Sequence, residues 1–314
     1  MEGDYQLKIP TVKERAPTVK LSCSIDEEAY RFVVMGQNNE LIFSEKNALT
    51  HKSLKEMTLV LGERVDELNL IAAPCQLILL PGQYQLILMD ALQMSDEDMI
   101  KAFRWRLKGL TDYDLKDLAI DLFSLPTVSS VVPKKVFVAL TPLSVLNKYR
   151  QLLQSAYLEP TSITIADMAL RNCLKLLAQK SDVKEEEEGP FVIISNANNG
   201  KTHDKLHLCY QGLFYLIREL VPRGQEDEAV DLSNILAEIE RSVDYCVNVL
   251  NLPEPKRLIF TPWELLSGDL VKSIKEKLNL DVVILDLNHY LTLTPPMSLK
   301  DQHEIFYNIM GALS

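Results

Sequence analysis

Val19-Lys-Leu-Ser-Cys-Ser24, Ala29-Tyr-Arg-Phe-Val-Val-Met35 and Leu41-Ile-Phe-Ser44 are short apolar runs separated by Ile25-Asp-Glu-Glu28 and Gly36-Gln-Asn-Asn39. Runs of this length between turn-forming residues read as a three-stranded meander. The layout recurs in the second half of the chain, as Phe191-Val-Ile-Ile-Ser195, Leu206-His-Leu-Cys-Tyr210 and Leu213-Phe-Tyr-Leu-Ile217. Asn196 to Lys201 and Gln211-Gly212 supply the turns there. One meander is commonplace in a mixed protein; two that each open half of the chain suggest a duplicated architecture.

Outward from the meanders, helical spacing takes over. Val145, Leu146, Tyr149, Leu152, Leu153 and Ala156 lie on one helical face, as do Leu170, Cys173, Leu174 and Leu177. The longest stripe runs from Leu232 to Leu250 and stops before Pro253, which cannot continue a helix. On its opposite face Glu238 and Arg241 can pair one turn apart. Arg257 to Thr261 and Val282 to Leu285 read as buried strands around a helix at Leu270 to Leu278. This alternation is the α/β class. Residues 1–17 read as a flexible arm, 18–180 as a first lobe, 181–190 as an acidic linker and 191–314 as a second lobe. The linker rests on Glu185 to Glu188, four adjacent carboxylates, followed by Gly189-Pro190.

The 314 residues carry 33 Lys+Arg against 44 Asp+Glu, a formal charge of -11, with 47% hydrophobic residues to fill a core. That balance argues against nucleic acid as a partner, because releasing counterions from a phosphate backbone needs clustered cations. Met1-Glu-Gly-Asp4 lacks the basic start of a signal peptide, and the most apolar stretch, Leu68 to Leu80, is interrupted by Pro74 and Gln76. A soluble, cytosolic protein is expected. Cys23, Cys75, Cys173, Cys209 and Cys246 are odd in number and scattered, so they read as reduced, buried thiols. His203 and His207 would need one helical face to share a metal, yet lie in a turn and a strand; surface histidines and no metal site are expected. P-loop, dinucleotide and nucleophile-elbow motifs are missing from the sequence, and no catalytic residue stands out. Asp121 and Asp167 are expected to be structural or capping residues.

One helix departs from simple core material. Ser95 with Asp98 makes a capping box, and Met99, Ile100, Phe103 and Leu107 form the apolar face. Trp105 falls opposite that face, beside Lys101 and Lys108. Either a neighbouring loop covers it or it belongs to a partner surface, where Trp and Arg serve as anchors.

Ser95 to Tyr113, with Arg104-Trp105-Arg106, continuing through Ile120-Asp-Leu-Phe-Ser-Leu-Pro126, resembles a segment of MshI-like pilus biogenesis proteins. Ile163 to Asn172 and Leu236-Ala-Glu-Ile-Glu-Arg241-Ser-Val-Asp-Tyr245 resemble two further segments of that family, in the same order. The family is similar to PilM, a cytoplasmic component of type IV pilus assembly whose actin-like fold is shared with FtsA. The resemblance implies an α/β, actin-like (RNase H-like duplicated) two-lobed fold, with a subdomain at about 91–142 inserted in the first lobe. The C-terminal helix is then a candidate to return to that lobe. It also implies an adaptor of the MSHA type, peripheral at the inner membrane, which a chain without a spanning segment would reach only indirectly; departures at the nucleotide turns make a non-catalytic role the expectation. Its partner would be a bitopic PilN/MshJ-like protein whose short cytoplasmic segment enters a groove on the first lobe. Lys101, Arg104, Trp105 and Lys108 are the partner-binding residues expected.

Nucleotide-binding relatives carry small residues and Asp in two phosphate turns and a Gly-Gly turn under adenosine. Here Ser22 to Glu28 has no Gly and three acids, Ser195 to Lys201 lacks Asp at the strand end, and Thr261-Pro-Trp-Glu264 is bulky and rigid. A pseudo-ATPase without cofactor is expected. The alternative is a working ATPase of the same machinery, with Asn196, Asn198 and Gly200 cradling phosphate and Asp26 serving magnesium with ATP.

Overall fold

The computed structural model describes residues 19–48, 53–126, 134–180, 189–195, 204–220, 228–262 and 268–313. The first sheet contains β1 (Lys20–Ile25), β2 (Ala29–Met35), β3 (Leu41–Ala48) and, after helix α1 (Leu54–Glu67), β4 (Pro74–Leu79). The chain then leaves the sheet for β5 (Gln85–Asp90), α2 (Asp96–Arg106), β6 (Leu118–Ser124) and β7 (Lys135–Pro142). It returns through α3 (Leu143–Ser155) to β8 (Glu159–Ile165), which is followed by α4 (Ala166–Lys180). The second half holds β9 (Phe191–Ser195), β10 (Lys205–Tyr210), β11 (Leu213–Glu219), α5 (Glu228–Asn248), β12 (Arg257–Phe260), α6 (Gly268–Leu278), β13 (Asp281–Ile284) and α7 (Leu299–Ala312).

The first sheet has the order β3-β2-β1-β4-β8 and the second the order β11-β10-β9-β12-β13. In both, an antiparallel meander comes first and two parallel strands extend its first member on the other side. Two sheets with the same order and the same strand directions are a duplication. The central strands are buried on both faces, as shown by Leu21 to Ile25 and Val192 to Ser195, which is why they read as continuous apolar runs. β13 corrects the reading of Val282 to Leu285 as a buried strand. It is the outermost strand of its sheet, and Val283 and Ile284 are each 37% exposed.

A third, antiparallel sheet of order β5-β7-β6 lies in the chain between β4 and α3. Ser95 caps α2 by accepting from the Asp98 N–H, and Met99, Phe103 and Leu107 seal one face of this sheet against Leu118, Val136, Val138 and Leu140. α7 crosses back to the first sheet. Ser22 Oγ donates to the Asn308 carbonyl at 2.6 Å, Ser24 Oγ donates to Asn308 Oδ1 at 2.8 Å, and Asn308 Nδ2 donates to the Arg31 carbonyl at 3.2 Å. Gly311 lets the helix lie close to β4, since a Cβ there would overlap the Ile78 side chain. All five cysteines are free and buried, and burial pushes the Cys246 thiol up to about 11.

Candidate functional site

The edge strands of two sheets face one another across a groove. β8 ends the first sheet and β6 ends the third, and among the described residues neither has a further strand beside it. Ile163 to Ile165 form one wall and Ala119 to Phe123 the other, over a floor that includes Leu79, Ala139 and Thr141. The enclosed volume is about 310 Å³. Side chains alternate along β6, so Leu118, Ile120 and Leu122 turn to α2 while Ala119, Asp121 and Phe123 belong to the groove face. Phe123 stacks on Phe137 with ring centres 5.1 Å apart, stiffening that wall. Asp121 is exposed at the rim.

The turn between β1 and β2 is organised by Asp26. Its Oδ1 accepts from the Glu28 and Ala29 N–H groups at 2.7 and 2.8 Å, and its Oδ2 accepts from Arg31 Nη1 at 2.7 Å. Burial alone would raise this carboxyl, but the Arg31 charge and the backbone donors override it and hold it below its ordinary value. Both oxygens are therefore engaged, Oδ1 by the turn and the start of β2 and Oδ2 by Arg31 of β2.

The two halves meet at a buried ionic cluster. Asp167, at the start of α4, is 2% exposed and accepts from Lys205 Nζ and His207 Nε2 of β10, each at 2.8 Å, and from the Tyr84 hydroxyl. Lys205 Nζ also lies 4.7 Å from the centre of the Tyr84 ring. Burial would raise the Asp167 carboxyl, but Lys205 and His207 outweigh it and hold the group well below the usual carboxylate range. His207, expected on the surface, is completely buried, with its ring centre 5.1 Å from that of Phe214 and the two planes tilted. Its partner Asp167 is the reason: a carboxylate in the first turn of α4 lets β10 bury a cation and an imidazole.

Searched by sequence, the chain matches no protein-family model and no curated protein. By structure it is similar to a chain of the PilM-PilN type IV pilus biogenesis complex. The TM-score is 0.63 at 15% identity, over 95% of this chain and 98% of that one. It is also similar to a Bacteroides thetaiotaomicron protein with an actin-like ATPase fold and unknown function, at TM-score 0.52 and 10% identity, over 92% and 96% of the two chains. The fold is actin-like. The repeated sheets are thus the cores of two actin-like lobes, and the third sheet is carried by the first half.

Within this actin-like frame the residues singled out from sequence fall in different places. Asp26 is in the β1–β2 turn as described; Asn196, Asn198, Gly200, His203, Trp263 and Glu264 lie outside the described residues. Lys101, Arg104, Trp105 and Lys108 are on α2 or just after it, and none of them lines the groove. Lys101 pairs with Glu97 at 2.9 Å. Arg104 turns inward, donating to the Leu115 and Leu118 carbonyls at 2.7 and 3.0 Å, so it secures the loop before β6. Trp105 is covered by nothing in the described chain and is 82% exposed. Asp121 is exposed on β6, with its carboxylate accepting from the Leu122 N–H. Among the described residues no group of three His, Cys, Asp or Glu side chains could hold a metal ion, and no helix is long and apolar enough to cross a membrane.

Proposed function

We propose that this chain is a non-catalytic, actin-like adaptor of a type IV pilus assembly platform, of the MSHA kind, which holds a short segment of a membrane-anchored partner. The observation that carries this reading is the groove between β6 and β8. Its walls are two sheet edges whose outward backbone groups can pair with an extended peptide, while the apolar floor can take alternate side chains. Asp121 at the rim favours a cation in that peptide. The similarity to a chain from a PilM-PilN complex supports a bitopic PilN- or MshJ-like protein as the source of the segment, with the adaptor cytoplasmic and peripheral at the inner membrane.

The absence of catalysis is part of this proposal. Asp26 has both oxygens engaged, by backbone N–H groups of Glu28 and Ala29 and by Arg31 of β2, and Glu27 and Glu28 beside it oppose a phosphate.

Calorimetric titration tests the groove, using a synthetic peptide of the cytoplasmic segment of a PilN-like protein from the same genome. Ala139→Phe raises the floor and should weaken binding at least about tenfold. Unchanged affinity in a folded variant would refute the groove as the site.

A further inference from the structure

α2 ends in a knob. Trp105 is 82% and Leu110 56% exposed, and a turn through Gly109, at φ +82°, brings the chain round between them. Arg106 and Lys108 are exposed in the same stretch, and their side chains form no ion pair among the described residues. A bare indole with two cations unpaired among the described residues is unusual on a chain of charge -11. An exposed indole beside two cations calls for a cover that supplies both an apolar seat and negative charge.

The same molecule has such a seat. A recess of about 450 Å³ lies beside the β1–β2 turn, lined by Leu80, Pro142, Val145 and Tyr149 and by the exposed Glu27 and Glu28. Tyr113 also lines it, three residues after Leu110. Three residues span at most about 11 Å, so knob and recess adjoin on one surface. Yet the knob of a single copy is exposed and does not fill the recess beside it. A head-to-tail contact between distant patches would propagate into a filament, whereas adjoining complementary patches let two copies exchange knobs about a two-fold axis and close.

We propose that the protein forms a two-fold dimer in which Trp105 of each copy enters the recess of the other, with Arg106 and Lys108 against Glu27 and Glu28. The like net charges of the copies oppose approach, but at physiological salt charges beyond about 8 Å are screened and the local pairing decides.

Sedimentation equilibrium of the full chain at about 1 µM to 1 mM should show a monomer–dimer equilibrium. Trp105→Ala should raise the dissociation constant at least about tenfold. Arg106→Glu with Lys108→Glu should give monomers, as should Glu27→Lys with Glu28→Lys, each checked for folding by its melting curve. Mixing these two monomeric variants should restore a dimer, because both knob–recess contacts of the mixed pair become complementary again. A wild-type chain that stays monomeric, a dimer indifferent to Trp105 and to the reversals, or a mixture that stays monomeric would each overturn the proposal. So would Trp105-dependent binding to the partner peptide or to anionic vesicles by a monomeric chain, which would assign the knob to that occupant instead. Because Trp105 does not line the groove, failure here leaves the partner-segment reading untouched.

Discussion

Asp167→Asn should weaken the protein more than any other single side-chain change between its halves. The substitution keeps the shape and leaves an acceptor for Tyr84, but strands the Lys205 ammonium, 8% exposed, beside a neutral amide. Removing one member of a buried ion pair costs about 3–5 kcal/mol. The Tyr84 ring, 4.7 Å from the same ammonium, remains and offsets part of this, since a desolvated cation–π contact contributes about 2 kcal/mol. The loss should therefore fall near the lower bound, about 3 kcal/mol. Urea unfolding at neutral pH measures it. Lys205→Met alone leaves Asp167 with His207 and Tyr84, and the double variant should lose clearly less than the sum of the two singles. The pH dependence gives a second reading. The folded Asp167 carboxyl lies below its unfolded value of about 3.9, so its contribution is present in full above that value and is lost as pH falls toward the folded one. Asp167→Asn should flatten this acid limb. A loss below about 0.5 kcal/mol, or strict additivity in the double variant, would refute the clamp.

Magnesium-ATP at millimolar concentration should leave the melting temperature unchanged, because a ligand bound only by the native state would raise it by mass action; a shift of several degrees would restore the ATPase alternative. Gly311→Ala should lower stability by about 1–3 kcal/mol through overpacking against Ile78 and Gln76, read from the urea midpoint.

Local patterns carried much of the architecture. The Met99, Phe103 and Leu107 stripe defines the buried face of α2, and its geometry puts Trp105 outside, where it is found. The repeated meanders were legible for the same reason: short apolar runs between turn residues are a local signal. The groove was not. Its walls and floor come from Asp121, Ala139 and Ile163, in three strands of which the third joins the other two only after the crossover through α3. Lys205 and His207 share one face of β10 by simple alternation, but nothing nearby in sequence accounts for burying them. Asp167 does, from another lobe. β13 failed in the opposite sense, since an apolar run says nothing about whether a strand is central or outermost in its sheet.

The return of α7 to the first sheet bears on how the protein is made. Ser22 waits for a carbonyl 286 residues further along the chain. At roughly 5–20 residues per second, a ribosome takes about 15–60 s to bridge that interval. Throughout it, the hydroxyls of β1 and the Ile78 side chain have no helix over them. The second lobe faces no such delay, because α5 and α6 lie close in the chain to the strands they pack on, β10 and β13. The half synthesised first is thus the half completed last, and the nascent first lobe is the stretch that a chaperone would need to shield.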